Sequence, residues 1–156
     1  MIVDANGDWT FERLQKLMPK LQLAGVDLVE QPLPAGGDAC PAGFVSPIPL
    51  CADESCLDRS SLPEVIGQYQ AINIKLDKTG GLTEALALAD AARKANLSIM
   101  VGCMVGTSLA MAPAWVVAQL ADYVDLDGPL FLASDRAPSI DYQDGTIAMP
   151  SAVLWG

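Results

Sequence analysis

The sequence predicts an α/β fold built on a parallel sheet, and three observations carry that expectation. Short apolar runs alternate with helix-forming stretches along the chain. The runs are continuous rather than alternating in polarity, as in strands covered on both faces. The first four each end in a charged residue, Asp4, Glu30, Asp53 and Lys75, spaced 26, 23 and 22 residues apart, about one strand–helix unit each.

Taken in order, the first run is IVD (2–4). Phe11, Leu14, Leu17 and Leu21 follow on one helical face, with Pro19 expected as a kink or stop. VDLVE (26–30) is the second run, and the Pro/Gly-rich segment 31–48 leaves room for a short helix or none. PLCAD (49–53) is the third. Ser61 and Glu64 have the spacing of a capping box ahead of Val65 and Ile66. AINIK (71–75) is the fourth, and Gly80-Gly81 reads better as a tight turn than as a phosphate loop. Leu82–Lys94 is rich in Ala and Leu, an excellent helix former. SIMVG (98–102) is the fifth run, Ser108 can cap a helix ending near Tyr123, and YVDLD (123–127) is the sixth. Tyr142–Thr146 has the composition of a hairpin turn, and Trp9 and Trp155 read as packing residues.

This alternation means βα units, compatible with a doubly wound sheet or a TIM-type barrel. No GxGxxG follows the first strand, which weakens a dinucleotide-binding reading. Six strands are too few to close an eight-stranded barrel, so the chain reads as the last three-quarters of one or as a smaller open sheet.

The 156 residues carry a formal charge of −10, which argues against nucleic acid or an anionic membrane as partner. There is no histidine, so any acid–base chemistry falls to carboxylates, lysine, tyrosine or cysteine. Cys40, Cys51, Cys56 and Cys103 form no CxxC pair and read as reduced thiols of a cytoplasmic protein. Leu97–Ala121 is uncharged and long enough to span a bilayer, but Gly102, Gly106 and Pro113 divide it into strand, turn and helix.

Residues at equivalent points of successive βα units lie side by side, and in a barrel the carboxyl ends of the strands form the active-site face. Acids often follow strands merely as helix caps. Three carboxylates converging on that face, however, repel one another unless a cation lies between them. Oxygen ligands without histidine or thiolate favour Mg²⁺ or Mn²⁺. Lys75 then projects toward the same cavity, where a dication and partial desolvation disfavour its ammonium and suit it as a base.

DAN (4–6), VEQPLP (29–34), ADES (52–55), NIKLDKTGGLTEAL (73–86), MVGCM with GTSLA (100–110) and DLDGPL (125–130) together resemble the enolase superfamily. The likeness is to its muconate-lactonizing subgroup, and most to dipeptide epimerases of the L-Ala-D/L-Glu type. It covers nearly the whole chain. The resemblance implies strands three to eight of a (β/α)₇β barrel, with 137–156 a C-terminal tail that packs on N-terminal parts outside this chain. It implies Mg²⁺ held by Asp4, Glu30 and Asp53, and Lys75 as one of two opposed lysine bases. It further implies that Asp125 and Asp127 hold the substrate ammonium, and that Cys103, Met104 and Ser108 belong to a loop lining the substrate backbone. Ser108 as a plain helix cap is an equal alternative.

The family's other lysine lies in a KxK motif on the second barrel strand, and its capping domain precedes the barrel. Neither is found here, so the chain is expected to be N-terminally truncated, with DANGDW where DANQGW is usual. The function implied is Mg²⁺-dependent epimerisation of a small dipeptide. The rivals are N-acylamino acid racemase, o-succinylbenzoate synthase or muconate cycloisomerase activity, or an inactive metal-binding fragment. Exposed sheet edges predict self-association or a complementing chain.

Overall fold

The computed structural model of the protein describes residues 1–37, 40–41 and 43–156. Six parallel strands pair in chain order: β1 (Ile2–Asp4), β2 (Leu28–Glu30), β3 (Leu50–Ala52), β4 (Ala71–Ile74), β5 (Ser98–Val101) and β6 (Tyr123–Val124). They form a half-barrel with β1 and β6 as its edges: the parallel βα order is the one the alternation predicts, and the barrel curvature the one the resemblance implies. The register sets Asp4 opposite Glu30, Cys51 opposite Ala71, Ile74 opposite Val101 and Met100 opposite Tyr123. Helices α1 (Phe11–Leu23), α2 (Leu62–Val65), α3 (Leu76–Thr79), α4 (Leu82–Lys94) and α5 (Ser108–Ala118) connect them. The described part of 31–48 holds no helix, while Asp38, Ala39 and Ala42 lie outside the described residues.

Because side chains alternate along a strand, each run supplies two different surfaces. Ile72, Ile74, Ile99 and Val101 face outward and pack with Ala85, Leu88, Ala89, Met111 and Val117 of α4 and α5. Val29 and Leu50 do the same with Leu14 and Met18 of α1. The intervening residues form an inner apolar layer of Leu28, Cys51, Ala71 and Met100, flanked by Ile2 and Tyr123. One pleat further toward the carboxyl ends, the inner face turns polar.

Several local expectations need correction. Pro19 neither stops nor divides α1, which runs through it from its Thr10 cap. Both Pro19 and Gln15, whose carbonyl loses its partner, are exposed, so water can solvate that carbonyl. The Ser61–Glu64 capping box does not form; Ser61 Oγ instead accepts from the Leu57 and Asp58 amides at 2.8 and 3.1 Å. The cap of α5 is Thr107, not Ser108, and the helix ends at Ala118 because Tyr123 is needed in β6.

Gly80 closes α3 in the left-handed conformation and Gly81 opens α4, as a tight turn requires. Strands β7 (Tyr142–Gln143) and β8 (Thr146–Ile147) pair around Asp144 and Gly145, both at positive φ, so the hairpin forms where composition placed it. Leu154 and Ile140 are buried in the chain's own main core, and Ile147 and Tyr142 pack against it. These tail residues therefore find their partners within this chain, whereas Met149 and Val153 remain exposed. Among the described residues, no helix is long and apolar enough to cross a membrane, and all four cysteines are free thiols.

Candidate active site at the carboxyl ends of the strands

Asp4 ends β1 and Glu30 ends β2, while Asp53 and Lys75 stand one residue beyond β3 and β4. Asp4, Glu30, Lys75, Cys103 and Asp125 line one cavity of about 220 Å³, together with Ile2, Asn73, Met100 and Gly102. Asp53 borders it, only 3% exposed, with Oδ2 accepting from Lys75 Nζ at 2.6 Å. Its Oδ1 is taken by Lys78, a nearly buried ammonium that also donates to the carbonyls of Asp53, Asn73 and Cys56 at 2.7, 2.9 and 3.2 Å.

Electrostatics follow from this crowding. Burial raises the Glu30 carboxyl to about 7; the Asn73 hydrogen bond opposes the shift, and the Asp4 and Asp53 charges add to it. Asp125 is also raised, by burial first and then by Asp127 beside it. At Lys75 two effects oppose each other. Burial pulls its pKa down, but the hydrogen bond and charge of Asp53, with Glu30 and Asp4 behind them, leave it above the ordinary lysine value. Without a dication the ammonium is held, not destabilised.

Asp4, Glu30 and Asp53 offer only hard oxygen donors. The donor set therefore fits a hard dication. The three are not gathered as ligands, however. Among the described residues, no three acidic or thiol side chains lie close enough to hold one ion, because Asp53 is turned onto its two lysines.

The remaining expected site residues are divided. Cys103 lines the cavity and Met104 is an exposed neighbour in the same loop. Asp127 follows Asp125 but faces an adjoining depression shared with Tyr142. Ser108 is fully buried away from the cavity; its hydroxyl bonds the Asp135 carboxylate and accepts from the Ile140 amide at 2.8 Å.

Sequence reasoning missed the groups that hold these side chains in place. Gln31 is wholly buried. Its Oε1 accepts from the Asp53 and Ser55 amides at 2.8 and 3.2 Å, and its Nε2 donates to Leu33 O and Ser55 Oγ at 2.8 Å, tying the end of β2 to the end of β3. Asn73 Nδ2 donates to Glu30 Oε1 at 2.5 Å. The available signal was period two: Asn73 precedes Lys75 by two residues and so shares its face. Lys78 carried no such signal, since only the turn into α3 brings it back to Asp53.

Residues 1–153 match the Enolase C-terminal domain-like family. The chain is 55% identical over 155 residues to the N-acetyl-D-glutamate racemase of a Pseudoalteromonas species, covering 99% of this chain and 49% of that protein. It is 48% identical over 147 residues to the L-Ala-D/L-Glu epimerase of Escherichia coli strain K12, covering 94% and 46%. The crystal structure of an enolase family member from Agrobacterium tumefaciens with homology to dipeptide epimerases, with bound sodium and L-Ala-L-Glu, aligns at TM-score 0.96 and 47% identity over 99% of this chain and 48% of that one. A dipeptide epimerase from Methylococcus capsulatus, complexed with Mg and L-Arg-D-Lys, aligns at TM-score 0.87 and 31% identity, covering 96% and 45%. The chain spans about half the length of the curated relatives it matches. By fold and by a match along almost all its length, this chain belongs to the Enolase C-terminal domain-like family.

Proposed function

We propose that this chain carries one half of the catalytic apparatus of an Mg²⁺-dependent epimerase acting on a dipeptide of the L-Ala-D/L-Glu type. The observation that carries the reading is the single cavity where Asp4, Glu30, Lys75, Cys103 and Asp125 meet, with Asp53 bonded to Lys75 at its border. Its relatives include a dipeptide epimerase, and a similar structure holds Mg with a dipeptide.

Asp4, Glu30 and Asp53 would hold the cation. Once bound, the dication supplies electrostatic stabilisation of the enediolate charge that develops when the α-proton leaves. With Asp53 Oδ2 turned to the cation, Lys75 would lose the carboxylate that holds its ammonium; having given its proton to solvent, the amine would take the α-proton on one face of the substrate, and the ammonium so formed would return it. Inversion needs a second acid–base group on the opposite face, which the other half of a full-length protein would provide. Asp125, desolvated beside Asp127, favours an ammonium partner and so a free dipeptide N-terminus. Cys103 and Met104 bound the substrate on the β5–α5 side.

A second reading has its own support. The relative at 55% identity is an N-acetyl-D-glutamate racemase, and an N-acylated substrate has no ammonium for Asp125. Incubation in D₂O with Mg²⁺, of this chain alone and of the chain extended to the length of its relatives, separates the readings. Deuterium entering the α-position of L-Ala-L-Glu, but not of N-acetylglutamate, is the expected result. The reverse pattern establishes the racemase. Exchange in neither substrate at full length defeats both and leaves an inert fold. Lys75→Met should lower exchange at least about a thousandfold while the Mg²⁺ affinity of the chain persists.

A further inference from the structure

Three observations meet at Asn73. It lies on the inner face of β4 with 1% of its surface exposed, and it lines the cavity. Its Nδ2 grips Glu30 Oε1, while its Oδ1 is the one buried side-chain polar atom without a hydrogen-bond partner among the described residues. One residue beyond β5, and two past Met100, the register partner of Asn73, stands Gly102. A Cβ placed there would lie 2.7 Å from both polar atoms of the Asn73 amide, closer than real Cβ atoms come. Gly102 is thus the space into which this amide fits.

An asparagine inside a central strand is a poor strand former, and a buried amide oxygen without a donor costs free energy. The reverse amide orientation would set Oδ1 against an ionised Glu30 oxygen, two acceptors face to face. The neighbouring polar walls of the cavity, Asp4, Glu30 and Asp125, offer only acceptors when ionised. Lys75, the cation of that lining, donates to Asp53 and makes no bond to Oδ1. A donor for Oδ1 must therefore come from what fills the cavity, and the water shell of a hard cation brings O–H donors into a ring of acceptors.

We propose that Asn73 is a positioning residue: Nδ2 fixes Glu30 for metal binding, Oδ1 accepts a hydrogen bond from a water carried in by the divalent cation, and Gly102 provides the room for that amide. The inference rests on the reading of this cavity as a cation site. Calorimetric titration of the chain with Mg²⁺ tests it. Asn73→Ala should weaken Mg²⁺ binding 10- to 100-fold, roughly the range for residues that support metal ligands. Gly102→Ala should weaken it similarly by displacing the amide. The double variant should bind no more weakly than Asn73→Ala alone, because Gly102 acts through Asn73. If Asn73→Ala fails to fold, Asn73→Leu keeps the volume and should show the same loss. Mg²⁺ affinity unchanged in a folded Asn73 variant overturns the proposal, and multiplicative losses in the double variant overturn the role of Gly102. If the unmodified chain, or the chain extended to full length, binds no Mg²⁺, the cation reading fails and takes this inference with it.

Discussion

The two faces of the six-stranded sheet are made by alternate residues of the same strands, yet they are built on opposite principles. Outward, Ile72, Ile74, Ile99 and Val101 meet α4 and α5 in a continuous apolar contact. Inward, Asn73, Lys75 and Gly102, their immediate neighbours in sequence, surround a polar cavity with Glu30 buried in it. The outer face gains stability by burying apolar area. The inner face retains a desolvated carboxylate, like charges and an unpartnered amide oxygen, all of which oppose folding. The polar cavity thus sits where local stability has been given up, beside a face that compensates for it.

That comparison can be broken where the inner face does contribute to stability. Asp53 neutralises two nearly buried lysines, so Asp53→Leu leaves two desolvated ammonium groups and should cost about 3–5 kcal/mol in urea denaturation. A variant as stable as the parent would show that water reaches both lysines. On the outer face, Ile72→Ala should cost about 2–5 kcal/mol by leaving a cavity against α4, with Mg²⁺ affinity of the folded protein unchanged.

Glu30→Gln sharpens the contrast with the opposite sign. With Glu30 raised from 4.5 to about 7, the parent's stability from this group is full below pH 4.5 and is lost as pH climbs through 7. In divalent-free buffer above pH 7 the variant should therefore be the more stable, by at most about 3 kcal/mol at 1.36 kcal/mol per unit. The gap should close near pH 4.5, and Mg²⁺ should reverse it. Asp125, also raised, acts in the same direction and persists in the variant as background. Asp58, Glu84, Asp122 and Asp135 are lowered, so they act at more acid pH. Denaturation midpoints measured across that range decide it. The smallest effect belongs to neither face: Lys94→Ala removes an exposed i,i+4 pair with Asp90 and should cost roughly 0.3–0.5 kcal/mol, vanishing in high salt.

The strands were legible because a buried parallel strand is mostly apolar, and runs of three to five such residues between helix formers leave few other readings. Asp4, Glu30, Asp53 and Lys75 were legible because each closes a run at a regular interval. Pro19 misled, because whether a helix tolerates proline depends on whether the freed carbonyl faces water. Ser61 and Ser108 misled for a related reason. Both hydroxyls are captured by partners off the expected capping site, Ser61 within its own loop and Ser108 by Asp135, 27 residues away. Residues 137–156 read as a tail for N-terminal parts outside this chain; within the chain, Ile140 and Leu154 share the core with Met111, Ala112 and Val117 of α5.

From its amino acids alone, the chain was bound to form parallel βα units with charged residues at the carboxyl ends of four strands, because hydrophobic periodicity and strand-to-strand spacing are local and repeat. Which of those charges pair was decided only in three dimensions. Asp53 lies between two lysines, Asn73 grips Glu30 and Gly102 leaves it room, because hydrogen bonding and desolvation act between side chains that only the curvature and register of the sheet bring within reach of one another.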